Sequence, residues 1–123
     1  MYAIRGATTI EMDNEKNIKK AVREMMKEII ERNELETDEI ISIIFSSTTD
    51  ITAMYPARAF RELGYDDIPL FSTTEPPIQG GLDLCIRVLM HIRGDKPEFV
   101  GIKHVYKNKA RDLRPDLLDE NDK

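Results

Sequence analysis

Nine arginines are distributed over this 123-residue chain, and several occupy positions where an arginine is out of place. Arg87 lies in CIRVLMHIR (85–93), among Ile86, Val88, Leu89, Met90 and Ile92, all residues that favour burial. Arg5 stands beside Gly6 in YAIRGATTIE (2–11), a stretch rich in β-branched residues. Arg58 and Arg61 are three residues apart in YPARAFRELG (55–64), so on a helix they share a face. Arg114 precedes Pro115, which favours an extended backbone. A guanidinium stays charged and presents planar, paired donors that match a carboxylate. Taken singly, each arginine reads as a surface ion pair or a snorkelling side chain. Placed where apolar neighbours predict burial, they read together as a buried anion site.

Other chemistry is harder to find. There is no GxxxxGK[ST], no GxGxxG and no GxSxG. Gly80-Gly81 reads as a turn rather than a phosphate loop. His91 and His104 fall on different predicted strands, and with Cys85 they do not give zinc-ligand spacing, so both read as structural or surface histidines. Ser46-Ser47 and Met25-Met26 read as packing. Nothing supplies an evident nucleophile or general base. An enzyme built from these residues works by positioning and electrostatics, without cofactor or metal.

Elements that hold such a site can be read from periodicity. Strands are expected at 2–11, 40–48, 68–73, 85–93 and 98–107. The run 40–48, IISIIFSST, is apolar enough to suggest burial on both faces. Ile18, Ala21, Val22, Met25, Met26, Ile29 and Ile30 form the stripe of a long amphipathic helix over 14–33. Asp13 or Asn14 can cap its start, and Asn33 suits a left-handed exit. Pro56 and Gly64 bracket a short helix within 55–64. EPPIQGG (75–81) is a loop. For 85–93 the residues fit a helical stripe passably and a strand cleanly; alternation and the Gly94-Asp95 turn favour the strand. The fold class is therefore α+β, with five strands, one long helix and one short one. A single long helix covers one sheet face, so the uncovered face argues for an oligomer.

The length fits one domain, expected over 1–118, with 119–123 a flexible tail. A net charge of −5 argues against nucleic acid and against an anionic membrane surface. Cys85 is the only cysteine, so no intrachain disulfide is possible. The N-terminus lacks the apolar stretch of a signal peptide, and no run approaches a membrane span. These features place the protein in the cytoplasm.

IRGATT (4–9), YPARAFRELG (55–64), Glu75 followed by GGL (80–82), CIRV (85–88), HVY (104–106) and LRPDL (113–117) occur in that order. Together they resemble the AroH-type chorismate mutases, the small non-helical class of that enzyme, over about residues 3 to 118. The resemblance implies a homotrimeric pseudo-α/β-barrel with a mixed five-stranded sheet and active sites between subunits. It implies the rearrangement of chorismate to prephenate, a pericyclic step that needs no cofactor. Arg87 would face the ether oxygen of the breaking bond, Arg5 a carboxylate, and Tyr106 the same end of the ligand. Glu75 would accept a hydrogen bond from the ring hydroxyl. Phe71, Ser72, Thr73 and Thr74 would line the wall, while Tyr55, Ala57, Arg58 and Arg61 of a neighbouring chain close the cleft. Leu113 and Arg114 would lie on a mobile covering segment. Family members commonly carry cysteine at the position of Ser72, threonine at that of Phe71 and lysine at that of Arg58, departures that bear on affinity.

Three other readings fit parts of the pattern. A non-catalytic dianion-binding effector module of aromatic biosynthesis would use the same arginines without turnover. A trimeric imine or enamine hydrolase would share an interface arginine but lack LRPDL. A purely structural trimer would use neither.

Overall fold

The computed structural model describes residues 1–95 and 101–117. Strand β1 (Tyr2–Thr9) is followed by helix α1 (Glu15–Arg32), strand β2 (Ile40–Ser47), helix α2 (Pro56–Arg61), strand β3 (Leu70–Thr74), strand β4 (Cys85–Ile92) and strand β5 (Val105–Tyr106). The sheet order is β3-β2-β4-β1-β5. β4 is antiparallel to both β1 and β2, whereas β3 runs parallel to β2 and β5 parallel to β1. The expected mixed five-stranded sheet with a long and a short helix is therefore present.

One face of the sheet carries the main core. Ile4, Ile43, Phe45, Ile86, Val88, Met90 and Ile92 meet Ile18, Val22, Met25, Met26 and Ile29 of α1, all buried. Gly6 is required by this approach: a Cβ there would lie 2.7 Å from Ile29 Cδ1 and 2.9 Å from Val88 Cγ1. Phe60 of α2 stacks on Tyr65 at 4.4 Å and tilts against Phe45 at 5.8 Å, which seats the short helix over β2.

Across the middle of the other face, Ile44, Ser46 and Leu89 stay half-buried, and Phe71 is 67% exposed. The expectation that β2 is buried on both faces is thus not met within this chain. Ile40, Ile43 and Phe45 are buried, but the alternate residues Ser42, Ile44 and Ser46 face outwards.

Asn14 caps α1, its Oδ1 accepting from Asn17 N at 2.8 Å. Asp13 does another job, accepting from Thr52 N, Thr52 Oγ1 and Ala53 N at 2.6–3.1 Å. The left-handed exit of α1 is taken by Glu34 (φ 50°) instead of Asn33 (φ −98°). Asn33 is freed for a different role, donating from Nδ2 to Lys103 O (2.9 Å) and accepting from Lys103 N (2.8 Å).

That pairing bears on the strand expected over 98–107. Residues 98–100 lie outside the described part, and the observed strand is only Val105–Tyr106. Gly101 has φ +84°, and the Asn33 amide occupies both backbone groups of Lys103. A side chain thereby replaces a strand neighbour just before β5 begins. The tail expected over 119–123, with residue 118, also lies outside the described residues.

Candidate active site

β4 pairs on both sides, so the strand reading of 85–93 holds and sets the direction of Arg87. Ile86, Val88 and Met90 point into the core, and Arg87 and Leu89 point to the open face. Opposite Arg87 stand Ala7 on β1 and Ser46 on β2; opposite Leu89 stand Arg5 and Ile44. Ala7 also pairs with Tyr106 of β5. Arg5, Arg87 and Tyr106 therefore project from one face of three adjacent strands, around an Ala7 that is only 1% exposed.

Glu75 reaches this group from the end of β3, where its N–H donates to Ser47 O at 2.8 Å. Its Oε1 lies 3.3 Å from Arg87 Nε. Arg5, Glu75, Arg87 and Tyr106, with Gly6, Ala7, Ile44, Ser46, Val88 and Leu89, line a single concavity of about 270 Å³. It holds two guanidinium groups, one carboxylate and one phenol: donors for an anion and an acceptor for a hydroxyl. Arg5 and Arg87 are exposed, however, so within one chain the anion site expected to be buried is open to solvent.

The start of β4 is fixed by a compact clamp. Thr48 Oγ1 accepts from Cys85 N (2.9 Å) and donates to Asp50 Oδ1, and Asp50 Oδ2 accepts from Leu84 N (2.9 Å). Leu84 is held in the left-handed region (φ 47°), a conformation that costs a non-glycine residue about 1–3 kcal/mol. Arg87 lies three residues on. Burial pushes the Cys85 thiol above its ordinary range, so this cysteine is inert packing rather than a nucleophile.

Tyr55, Arg58, Ser72, Thr73 and Thr74 line a different concavity, with Phe45, Ser47 and the 51–56 segment. Tyr55 is 70% exposed. Arg58 donates from Nε to Glu62 Oε1 at 3.0 Å, and Arg61 is exposed at the end of α2. Ala57 is buried in the main core, which leaves only its backbone for a ligand. Phe71 stands beside Ile44 on the open face. The structure thus brings four expected site residues together and gathers five others on a second surface. Ala57, Arg61, Phe71, Leu113 and Arg114 lie outside both groups.

From the C-terminal side, Leu113 and Leu117 pack with Leu82 against Ala7, Tyr106 and Ala110. Arg114 is engaged locally and bidentately with Asp116, at 3.1 and 2.9 Å. That pairing raises the Arg114 pKa and holds the Asp116 carboxyl below its ordinary range.

Ala7, His104 and the Thr48–Asp50 clamp were not among the expected site residues. Ala7 was findable, because period-2 alternation puts it on the face of Arg5. His104 was not, since its contact spans 99 positions in sequence: its Nδ1 accepts from Arg5 N at 3.0 Å. Burial, followed by the charges of Arg5 and Arg114, holds His104 below the usual histidine range. Among the described residues no cluster of metal-ligating side chains is present, and no helix is long and apolar enough to cross a membrane.

Residues 1–117 match the family model described as chorismate mutase type I. The chain is 41% identical over 115 residues to chorismate mutase AroH of Bacillus subtilis, covering 93% of this chain and 90% of that protein. It is 40% identical over 115 residues to chorismate mutase AroH of Thermus thermophilus, covering 93% of each. A solved structure of a chorismate mutase from Clostridium thermocellum superposes with a TM-score of 0.85 at 43% identity, covering 90% of this chain and 98% of that one.

Proposed function

We propose how this chain, which belongs to the chorismate mutase type I family, carries out its reaction. The protein is a chorismate mutase, an isomerase of aromatic amino-acid biosynthesis that converts chorismate to prephenate. Chorismate is a dianion, and its rearrangement breaks a C–O bond while forming a C–C bond in one pericyclic step. No proton is transferred and no covalent intermediate forms. The protein's task is to hold the folded conformer of the substrate and to meet the charge that grows on the ether oxygen.

Arg87 is the cation for that oxygen. A guanidinium fixed where negative charge develops binds the transition state better than the ground state, and it needs no reorganisation during the reaction. Arg5 holds a substrate carboxylate, and Tyr106 hydrogen-bonds the same end. Glu75 orients Arg87 and accepts from the ring hydroxyl. The observation that carries this reading is the 3.3 Å contact of Arg87 with Glu75 in a concavity that Arg5 and Tyr106 also line.

The site is completed by a second copy of the chain in a homotrimer. Tyr55, Ala57, Arg58 and Arg61 come from the neighbour. Phe71, Ser72, Thr73 and Thr74, on the strand that leads into Glu75, line the wall, with Thr73 in register with Ser46 and Ser46 with Arg87. Phe71 and Ile44 lie on the exposed sheet face, which such an assembly would cover. Leu113 and Arg114 close over the ligand from the C-terminal side. The protein acts in the cytoplasm, in keeping with its single free cysteine.

The test follows the loss of chorismate absorbance and identifies prephenate as product. Arg87→Ala is expected to lower kcat by more than about 10³-fold, roughly 4 kcal/mol of transition-state stabilisation. A variant with kcat close to the parent's would show that Arg87 does not stabilise the ether oxygen.

A further inference from the structure

We infer that His104 is a positioning residue for Arg5, its imidazole serving as the side-chain acceptor that holds the Arg5 backbone N–H at the floor of the site. The inference rests on the carboxylate-binding role proposed for Arg5 above. β5 runs parallel to β1 with Gly6 opposite Val105 and Ala7 opposite Tyr106. Successive acceptors on a parallel neighbour are two residues apart, so extending this ladder one step would offer the Arg5 N–H the carbonyl of Lys103. That carbonyl accepts instead from Asn33 Nδ2 at 2.9 Å, and Lys103 N donates to Asn33 Oδ1 at 2.8 Å. The end of α1 has captured the backbone that would have supported Arg5. His104 Nδ1 takes its place, accepting from Arg5 N at 3.0 Å.

This arrangement fixes the imidazole chemically. Nδ1 must be unprotonated to accept, so the proton of the neutral ring sits on Nε2. A protonated ring would present a donor to a donor, with the Arg5 and Arg114 charges also facing it. Half-burial and those two charges favour the neutral ring that the bond requires. The direct consequence falls on Arg5, whose backbone N–H the ring holds. Because a substrate carboxylate is bound in both ground and transition states, a displaced Arg5 weakens binding more than turnover.

The experiment compares His104→Phe, His104→Asn and Arg5→Ala with the parent. Phenylalanine fills the imidazole's volume without an acceptor, whereas the Asn carbonyl oxygen can lie close to the position of Nδ1. The expected result for His104→Phe is a KM raised about tenfold with kcat within about threefold, and for His104→Asn a KM within about threefold of the parent. The inference is overturned if His104→Phe keeps the parental KM, or if His104→Asn is as impaired as His104→Phe. An Arg5→Ala variant with unchanged KM overturns the Arg5 role itself and the inference with it. A nitrogen NMR spectrum of histidine-labelled parent protein needs no folded variant: His104 is expected to show Nδ1 unprotonated and Nε2 protonated at neutral pH. The opposite tautomer sinks the proposal.

Discussion

At the scale of single residues, the proposed mechanism depends on where two charges are held. Arg87 is 45% exposed at its side chain and Glu75 is 23% exposed, so their contact contributes little stability. In the proposed mechanism its value lies in direction: Glu75 would restrain a long, flexible side chain that is to meet one oxygen. Glu75→Asp keeps the charge and shortens the reach by one methylene. That shift of about 1 Å is expected to lower kcat/KM roughly 10²-fold with little change in unfolding free energy. Steady-state kinetics beside a denaturant titration would check it, and an unchanged kcat/KM would show that Glu75 does not orient Arg87. Arg87 was legible in sequence, because an arginine inside CIRVLMHIR is conspicuous, whereas the role of Glu75 came only from the family resemblance. Their geometry was not legible, since Arg87 and Glu75 meet only when β2, β3 and β4 pair.

At the scale of elements, strong periodicity gave correct assignments and weak local signals gave shifted ones. α1 is amphipathic over five turns and its ends fell within a residue of expectation. β4 was ambiguous by pattern and was decided by having a partner on each side. β5 fell short of its expected length over the described residues because a side-chain amide, Asn33, competes for the backbone of Lys103. No local pattern announces a contact across 70 positions. Gly6 shows how closely the elements meet. Gly6→Ala places a methyl against Ile29 and Val88, and overpacking of this kind costs about 1–3 kcal/mol. Urea unfolding at fixed protein concentration is expected to show that loss, while an unchanged midpoint would mean α1 can shift without cost.

The same region gives a pH dependence. His104 titrates below its unfolded value of about 6.5, so between the two pKa values the unfolded chain binds more protons than the folded one. Stability is therefore fully present above the unfolded pKa and is lost as pH falls through that window. Unfolding free energy measured from pH 8 down to pH 5 should decline, and the decline should be smaller in His104→Asn. Equal slopes in the two proteins would show that His104 does not titrate as described.

At the scale of the whole molecule, the sequence already implied a sheet with one helix too few, and the structure gives that shortage a location. Ile44, Leu89 and Phe71 lie on the face opposite α1. Along one chain, Arg5, Glu75, Arg87 and Tyr106 line one concavity, and Tyr55, Arg58 and Ser72 line another. Ser72 borders the second concavity while its strand leads directly into Glu75, so β3 adjoins both. The central claim is that these two half-sites belong to one active site shared between copies. Complementation tests it most directly. Arg87→Ala and the double variant Arg58→Ala/Arg61→Ala are each prepared alone and then unfolded and refolded together in equal amounts. In a randomly mixed closed ring with one site per interface, about one interface in four joins two intact halves. Activity in the mixture is therefore expected to rise to about a quarter of the parent's, far above either variant alone. A mixture no more active than the sum of its components would contradict the shared site.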